Sequence, residues 1–157
     1  MNQTERLYFS EITEADAKNI VEWRSEPSVY CYFVSSHKIT LEEHLNWYNN
    51  HYKYDEKRFD YIAFSKDDEQ PIGVFGIKKL QEARVEVSCL LKPTAQGKGY
   101  AQEAIRWLIK MATIKWKPKA VVAEIHVDNS PSIKMVEKLG FRKERVEGNF
   151  VSYTKEI

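Results

Sequence analysis

The segment Gln96-Gly97-Lys98-Gly99-Tyr100-Ala101 constrains the fold of this chain more than any other stretch of its sequence. It follows an apolar, strand-like run that ends at Lys92-Pro93, since proline lacks the N–H group that a strand ladder needs. It precedes a run from Ala101 to Ala112 in which apolar residues recur at helical spacing. Two glycines allow a sharp turn and expose amide groups at the helix start. Such a start binds phosphate through unpaired N–H donors and the helix dipole, which predicts a ligand that carries phosphate.

The common phosphate-binding motifs do not fit this segment. The P-loop form needs Lys-Ser/Thr after its last glycine, but Gly99 is followed by Tyr100-Ala101, and Gln102 stands where the dinucleotide form needs a third glycine. The remaining pattern, Gln-x-x-Gly-x-Ala, resembles the pyrophosphate loop of the GCN5-related N-acetyltransferase (GNAT) family, which holds acetyl-coenzyme A. A strand-to-helix turn without a ligand is the alternative for so short a motif.

A second segment, Asn129 to Phe141, follows a β-branched run and has the order Asn-x-x-Ser-x-x-x-Val-x-Lys-x-Gly-Phe. Asn129 or Ser130 can cap a helix and Pro131 suits its first turn, so a short, well-capped helix is the simpler interpretation. The order also resembles the second coenzyme A segment of the GNAT family. Because two motifs occur in the family's order, the chain is identified as a member of that family, an acyltransferase that uses acetyl-coenzyme A as co-substrate.

The resemblance implies that the coenzyme is held by a strand end, the glycine loop and the following segment. The residues at matching positions are Cys89, Leu90, Leu91, Gln96, Gly97, Lys98, Gly99, Tyr100, Ala101, Asn129, Ser132 and Lys134. The backbone of the strand end would pair with the pantetheine arm, much as a peptide pairs with a strand. The backbone N–H of Leu90 would stabilise the oxyanion that forms on the acetyl carbonyl.

The chain as a whole shows strands, intervening helices and hairpins, which predict an α/β (α+β) fold. Thr13 with Asp16, and Thr40 with Glu43, have the spacing of capping boxes and predict two helix starts in the first half. The resemblance implies a mixed, mostly antiparallel sheet, splayed in its middle so that coenzyme A enters between two strands, with flanking helices. We expect residues 1–157 to form a single GNAT acetyltransferase domain, because 157 residues is the size of one domain.

Acyl transfer to an amine needs a base, because a free alkylamine is mostly protonated at neutral pH. Glu86 is the first candidate, as an acidic residue in an apolar strand five residues before Leu91; the alternative is a solvated, outward-facing carboxylate. His126 is the second candidate, although such a histidine is more often structural. Many relatives place a tyrosine, the acid for the departing thiolate, where Val136 stands here. The acid is therefore unassigned, which leaves water or the substrate ammonium.

The acceptor is predicted from the first half of the chain, through Trp23-Arg24 and the stretch Ile39 to Trp47. These motifs resemble the pseudaminic-acid-pathway amino-sugar acetyltransferases and, as close cousins, the ribosomal-protein N-terminal acetyltransferases. Arg24 can pair with a diphosphate or carboxylate, and His44 can bond a hydroxyl or phosphate. The resemblance implies acetyl transfer to a primary amine, with a nucleotide-linked amino sugar or a similar small molecule as the leading acceptor.

Two other functions stay open from the sequence. A protein N-terminal acetyltransferase would need an acidic groove, which Glu42, Glu43, Asp55 and Glu56 can supply. A non-catalytic acyl-coenzyme A-binding module is compatible with valine at position 136.

Charge and composition argue against several kinds of binding partner. A net charge of +1 gives no field that would attract nucleic acid or an anionic membrane, and no apolar run reaches membrane-spanning length. No His, Cys, Asp and Glu set has metal-ligand spacing, so no metal is expected. The start of the sequence lacks a signal-peptide pattern, and two cysteines are too few for a disulfide framework, so we expect a cytoplasmic protein. A small-molecule amine is the expected partner, and assembly as a homodimer is left open.

Overall fold

The computed structural model describes residues 2–33 and 37–157, and in this part of the chain seven strands form one sheet. The strands are β1 (Leu7–Glu11), β2 (Arg58–Ser65), β3 (Pro71–Lys79), β4 (Arg84–Leu91), β5 (Ala120–His126), β6 (Arg142–Glu147) and β7 (Phe150–Glu156). The helices are α1 (Ala17–Arg24), α2 (Pro27–Tyr30), α3 (Leu41–Asn50), α4 (Tyr100–Trp116) and α5 (Ser130–Lys138). The strand order is β1-β2-β3-β4-β5-β7-β6, and only β4 and β5 pair in parallel. The predicted mixed, mostly antiparallel sheet is confirmed.

Local signals set the helix starts in the first half. Thr13 and Asp16 form the expected capping box, but the chain makes one 3-10 turn before α1 begins. Thr40 and Glu43 form the second capping box, at the start of α3. Both boxes depend on contacts within four residues, which explains why the sequence predicts them.

Helices cover both faces of the sheet. On the α4/α5 face, the core includes Val85 and Val87 of β4, with Cys89 packed against it. On the opposite α1/α3 face, Leu90 packs against a cluster that includes Ile20 and Trp23 of α1. Within the described ranges, no helix is both long and apolar enough to cross a membrane. Successive residues of β4 therefore face two different sets of helices.

The sheet opens between its two central strands. β4 and β5 pair at three positions only, from Arg84 opposite Ala120 to Glu86 opposite Val122. Beyond this point β4 stays paired with β3 as far as Leu91, and β5 stays paired with β7 as far as His126. The two strands therefore separate and leave a gap between them, as the family resemblance implies.

Candidate functional site

The last residues of β4 present free backbone groups to this gap. At the two ends of the β3–β4 ladder, the N–H of Leu80 donates to Arg84 O and the N–H of Lys92 donates to Ile72 O, each at 2.9 Å. In an antiparallel ladder, alternate residues turn both backbone groups to the same neighbour. The even-numbered residues of β4 therefore bond to β3, and the odd-numbered ones turn their N–H groups to the gap.

The glycine loop follows directly after β4 and a short 3-10 turn. Gly97 and Gly99 have φ values of +76° and +79°, in the left-handed region that favours glycine. Gly99 is the N-cap of α4, and this 17-residue helix has no side-chain cap at its start. Its first N–H groups are therefore available to an anion, at the positive end of the helix dipole.

An N-terminal tether, formed by Thr4, Arg6 and Glu103, holds this loop in place. Arg6 Nη1 donates to Lys98 O at 2.8 Å and Arg6 Nε donates to Glu103 Oε1 at 2.7 Å. Glu103 also accepts from the backbone N–H of Arg6 and from the hydroxyl of Thr4. Burial alone would raise the pKa of Glu103, but these hydrogen bonds outweigh it and lower that pKa. Sequence analysis missed the tether, because Glu103 lies 97 positions from Arg6 and 99 positions from Thr4.

The second coenzyme segment lies at the other border of the gap, after β5. Asn129 Oδ1 accepts a hydrogen bond from the N–H of Ser132 at 3.4 Å and caps α5, as predicted. Lys134 is exposed on α5, whereas Val136 is buried in the α4/α5 core at 2% exposure. The position where many relatives carry a tyrosine therefore offers no proton donor here.

Glu86 lies at the point where β4 and β5 separate. Its cross-strand neighbours are Lys78 on β3 and Val122 on β5, and Arg58 on β2 continues the same row. Glu86 is half-buried; burial raises its pKa, nearby Glu124 raises it further, and Lys78 and Arg58 oppose the change. The carboxylate is therefore a stronger base than a solvated glutamate.

Two charged residues of β2 that the sequence analysis did not single out lie on the same face of the sheet as Glu86. Arg58 Nη2 contacts Asp60 Oδ2 at 3.1 Å, and its guanidinium stacks 4.8 Å from the ring centre of Trp47. Asp60 is only 4% exposed. Both face the α1/α3 side of an otherwise apolar strand, and this alternation of charged residues in β2 was the signal that could have found them.

Arg24 and His44, the predicted acceptor residues, are brought together on the α1/α3 face. The Arg24 guanidinium lies 4.9 Å from the ring centre of Phe33, and within the described residues it makes no ion pair. Burial lowers the pKa of Arg24 and the nearby charge of Arg58 lowers it further, while the charge of Glu43 opposes the change. The guanidinium groups of Arg24 and Arg58 therefore form a cationic cluster beside His44, in which the charge of Arg24 has no partner at ion-pair distance within the described residues.

His44 adds an unsatisfied polar atom to that cluster. The residue is 6% exposed, and its Nε2 is buried without a hydrogen-bond partner among the described residues. Burial lowers the pKa of His44, and the charge of Arg24 lowers it further, so the ring is neutral at pH 7. A buried, unpartnered polar atom is costly unless a ligand supplies the missing bond.

His126 and Cys89 are surrounded by contacts typical of residues that stabilise the fold. His126 Nδ1 accepts a hydrogen bond from the N–H of Asp128 at 3.1 Å, and its ring packs against Phe150 and Tyr32. Burial raises the pKa of Cys89 to about 12, so its thiol is not a nucleophile at neutral pH. The geometry therefore favours Glu86 over His126 as the base.

Comparison with protein families and relatives agrees with this geometry. The model of an acetyltransferase (GNAT) domain matches residues 6–142. The uncharacterised N-acetyltransferase YnaD of Bacillus subtilis is 27% identical over 143 residues, which are 90% of this chain and 82% of that protein. An uncharacterised Methanocaldococcus jannaschii protein is 25% identical over 91% of this chain, but the chain spans only 29% of that protein's length.

Solved structures share the fold. Spermidine N-acetyltransferase from Vibrio cholerae, in complex with coenzyme A and spermine, superposes with a TM-score of 0.86 at 16% identity, over 98% of this chain and 96% of that one. Apo FdhC, a nucleotide-linked sugar GNAT, superposes with a TM-score of 0.84 at 20% identity, over 99% of this chain and 90% of that one. At these identities the likeness shows the fold alone.

Proposed function

Because this chain belongs to the GNAT acetyltransferase family, we propose that it transfers the acetyl group of acetyl-coenzyme A to the primary amine of a nucleotide-linked amino sugar. One observation carries this proposal. The β4–β5 gap, which suits a pantetheine arm, opens beside Glu86, and the same face of the sheet carries the guanidinium groups of Arg24 and Arg58 beside the neutral ring of His44. A thioester and an anionic amine can therefore meet at one carboxylate.

The coenzyme is proposed to bind along the gap and the glycine loop. The N–H groups of Cys89 and Leu91, rather than that of Leu90, face the gap by the alternation of the ladder and would bond the pantetheine and the acetyl oxygen. The uncapped start of α4 after Gly99 would bind the pyrophosphate. Gln96, Gly97, Lys98, Tyr100 and Ala101 complete that loop, and Asn129, Ser132 and Lys134 would border the coenzyme from α5.

Removal of the N-terminal tether should weaken coenzyme binding. We expect Arg6→Ala to raise the dissociation constant for coenzyme A roughly tenfold, because a charged hydrogen bond to the loop is worth about 1.5–3 kcal/mol and is only partly replaced by water. Isothermal titration calorimetry measures this directly. Arg106→Ala is the matched control, since Arg106 is exposed on the same helix and makes no ion pair within the described ranges. Equal affinity of Arg6→Ala and wild type would contradict the role of the tether.

The proposed reaction is direct acyl transfer. The amine nitrogen forms a bond to the thioester carbonyl carbon and its proton passes to the Glu86 carboxylate, directly or through a water. Negative charge on the carbonyl oxygen is stabilised by a gap-facing N–H of β4. The C–S bond then breaks, and the thiolate takes a proton from water, since Val136 offers none. No metal or redox group takes part in this balance.

The charge of the α1/α3 face favours an anionic amine over a polyamine. The charge of Arg58 lowers the pKa of Arg24 and that of Glu43 opposes the change, but within the described residues Arg24 has no carboxylate at ion-pair distance. A diphosphate would neutralise both guanidinium groups. It could also accept a hydrogen bond from His44 Nε2, or reach this atom through a water that donates to it. Such a face favours a nucleotide-linked sugar, the substrate class of FdhC, over spermidine, the substrate of the Vibrio cholerae enzyme.

The test is thiol release from acetyl-coenzyme A across an amine panel of UDP-linked amino sugars, aminoglycosides, polyamines and N-terminal peptides. Turnover confined to the UDP-linked amino sugars would support the proposal. Activity on peptides would instead support a protein N-terminal acetyltransferase. Coenzyme binding without turnover on any amine would overturn the enzymatic function and leave a non-catalytic module.

Arg24→Ala should act on the acceptor and spare the coenzyme. We expect KM for the UDP-linked amino sugar to rise about 10- to 100-fold, from the loss of charge-assisted bonds to phosphate. The dissociation constant for coenzyme A should stay within a factor of two. Steady-state kinetics measures the first quantity and calorimetry the second. An equal rise in both constants would show a general loss of structure instead.

A further inference from the structure

The guanidinium group of Arg58 is held on one edge and on one face. Its Nε donates to Asp60 Oδ2 at 3.2 Å, and its Nη2 lies 3.1 Å from the same oxygen. The ring of Trp47 covers one face, with its centre 4.8 Å from the guanidinium carbon. Within the described residues, no hydrogen bond or ion pair engages Nη1 of Arg58. Because a guanidinium group is planar and rigid, the two contacts fix the direction in which the free Nη1 points.

Asp60 and Trp47, the two residues that hold Arg58, share an anchor. The N–H of Asp60 donates to the Tyr52 hydroxyl at 2.9 Å, and the carbonyl of Asp60 accepts from the N–H of Ile12 at 3.0 Å. The Tyr52 ring also packs against Trp47, with the ring centres 5.0 Å apart. Tyr52 itself belongs to the buried cluster of the α1/α3 face. The carboxylate and the indole ring that hold Arg58 are therefore fixed relative to each other.

Arg58 lies between the proposed anion site and the proposed base. Its charge lowers the pKa of Arg24 on α1, and it also opposes the rise in the pKa of Glu86 on β4. In the sheet, Lys78 is the cross-strand neighbour of both Arg58 and Glu86. An acceptor that spans the space between Arg24 and Glu86 would therefore pass Arg58.

Stability alone gives little reason for the pair of Asp60 and Arg58. The Asp60 side chain is 6% exposed on an otherwise apolar strand, whereas 36% of the Arg58 side chain is exposed. Removing a carboxylate from water is costly, and replacement of such a pair by apolar residues is often neutral or stabilising. Recognition of phosphate by a planar guanidinium group, in contrast, requires that the group be held in one orientation. The pair is therefore better explained by the position that it gives to Arg58.

We propose that Asp60 is a positioning residue for acceptor binding, which holds Arg58 so that its Nη1 donates to a phosphate oxygen of the acceptor. Asp60 does not touch the acceptor and acts through Arg58 alone. This inference rests on the proposed function and deepens it, because it assigns one phosphate of the nucleotide-linked sugar to Arg58 and leaves the other to Arg24.

Positioning and simple electrostatics predict opposite results when Asp60 is replaced. Asp60→Leu keeps a similar shape, suits an apolar strand and lets the partly exposed Arg58 turn towards solvent. Loss of a nearby negative charge would by itself tighten the binding of an anion. If Asp60 positions Arg58, the same variant weakens that binding instead. We expect the dissociation constant of the UDP-linked amino sugar to rise about tenfold, because the charge-assisted bond from Nη1 is lost.

Calorimetry measures this constant with coenzyme A bound, which prevents turnover. The ligand is the UDP-linked amino sugar that the wild type acetylates fastest. Arg58→Ala should weaken its binding about tenfold or more, and Asp60→Leu added to Arg58→Ala should weaken it no further, since both changes remove the same contact. The dissociation constant of coenzyme A itself should not change in any of these variants.

Two further variants complete the test. Asp60→Asn guards against a folding defect of the leucine variant; it keeps an acceptor oxygen beside Arg58 without the charge, and should weaken the acceptor about threefold. Glu11→Gln is the matched control, because Glu11 is an exposed carboxylate that accepts from the Tyr52 hydroxyl at 3.2 Å and makes no ion pair with Arg58. This control removes a charge beside the same anchor and should bind the acceptor within a factor of two of wild type.

The outcomes separate this inference from the proposed function. Acceptor affinity equal to wild type or tighter, in either Asp60 variant that folds, would overturn the positioning role and leave the proposed function standing. A further loss when Asp60→Leu is added to Arg58→Ala would overturn it as well. A wild type that binds no UDP-linked amino sugar would overturn the proposed function, and this inference with it.

Discussion

Glu86→Gln should lower kcat by a factor on the order of 10², because a positioned general base contributes about 10²- to 10⁴-fold to proton transfer. The glutamine keeps the size and the cross-strand contacts with Lys78 and Val122, but it cannot take a proton from the amine. Coenzyme affinity should not change, since Glu86 shares the α1/α3 face with Leu90, whereas the glycine loop leads into α4 on the opposite face. Pre-steady-state and steady-state thiol release measure the turnover. A kcat within a factor of two of wild type would remove Glu86 as the base.

The pH profile gives the same prediction a second readout. Glu86 acts only when it is ionised, so activity falls as the pH falls through its pKa, and burial places that pKa above the usual glutamate value. Glu124→Gln is the matched control, because Glu124 is an exposed carboxylate that raises the pKa of Glu86 by its like charge. In that variant the acid limb of kcat/KM should move to lower pH while kcat stays near wild type. In Glu86→Gln this limb should disappear, and only the limb of the amine itself should remain. If the acid limb assigned to Glu86 persists in Glu86→Gln, Glu86 is not the base.

The features that the sequence predicts well in this chain are local ones. The capping boxes at Thr13 and Thr40, the Asn129 cap and the left-handed Gly97 and Gly99 each depend on residues a few positions apart. Residue types alone specify such contacts, because chain connectivity already brings the partners together. The strand-to-helix order followed from the same short-range signals, together with the family resemblance.

The parts that sequence analysis missed or left open are set by strand register. Glu86 can face either covered side of the sheet, and only its pairing with Lys78 and Val122 shows that it shares a row with Arg58. Similarly, Asp60, Gly76 and Ser88 become neighbours only when three strands are in register, since none of them forms a motif with the others along the chain. A glycine within a strand does indicate a close approach of another group, but it does not say which group.

The direction of the Leu90 amide shows the limit of family resemblance. The strand end was predicted correctly, yet which of three consecutive N–H groups faces the gap depends on the phase of the β3–β4 ladder. The hydrogen bond from the N–H of Lys92 to Ile72 O fixes this phase and favours Cys89 and Leu91. One residue of register therefore decides which amide would stabilise the oxyanion.

Gly73→Ala should destabilise the fold by up to about 3 kcal/mol and weaken coenzyme binding at the same time. Gly73 lies opposite Leu91, and a methyl group there would overlap the carbonyl oxygen of Leu90 and lie 3.1 Å from the Leu91 Cα. These are backbone atoms that cannot rotate away, so the ladder must shift, and overpacking of this kind typically costs about 1–3 kcal/mol. The shift falls on the strand end whose N–H groups face the gap, so the effect on the coenzyme follows from the effect on the fold.

Urea unfolding measures the free energy of unfolding, and calorimetry on the folded variant measures the dissociation constant for coenzyme A. Gly148→Ala is the control for inserting a methyl group, because Gly148 has a φ of +59° in an exposed turn with no atom within 4 Å of the added carbon. It should lose about 1–2 kcal/mol, from backbone conformation alone, and keep the affinity of wild type. A Gly73→Ala variant that loses stability but binds the coenzyme as tightly as Gly148→Ala would separate the strand end from coenzyme binding. Coupled losses only in Gly73→Ala would place the coenzyme against the backbone of β4, because no side chain changes on that strand.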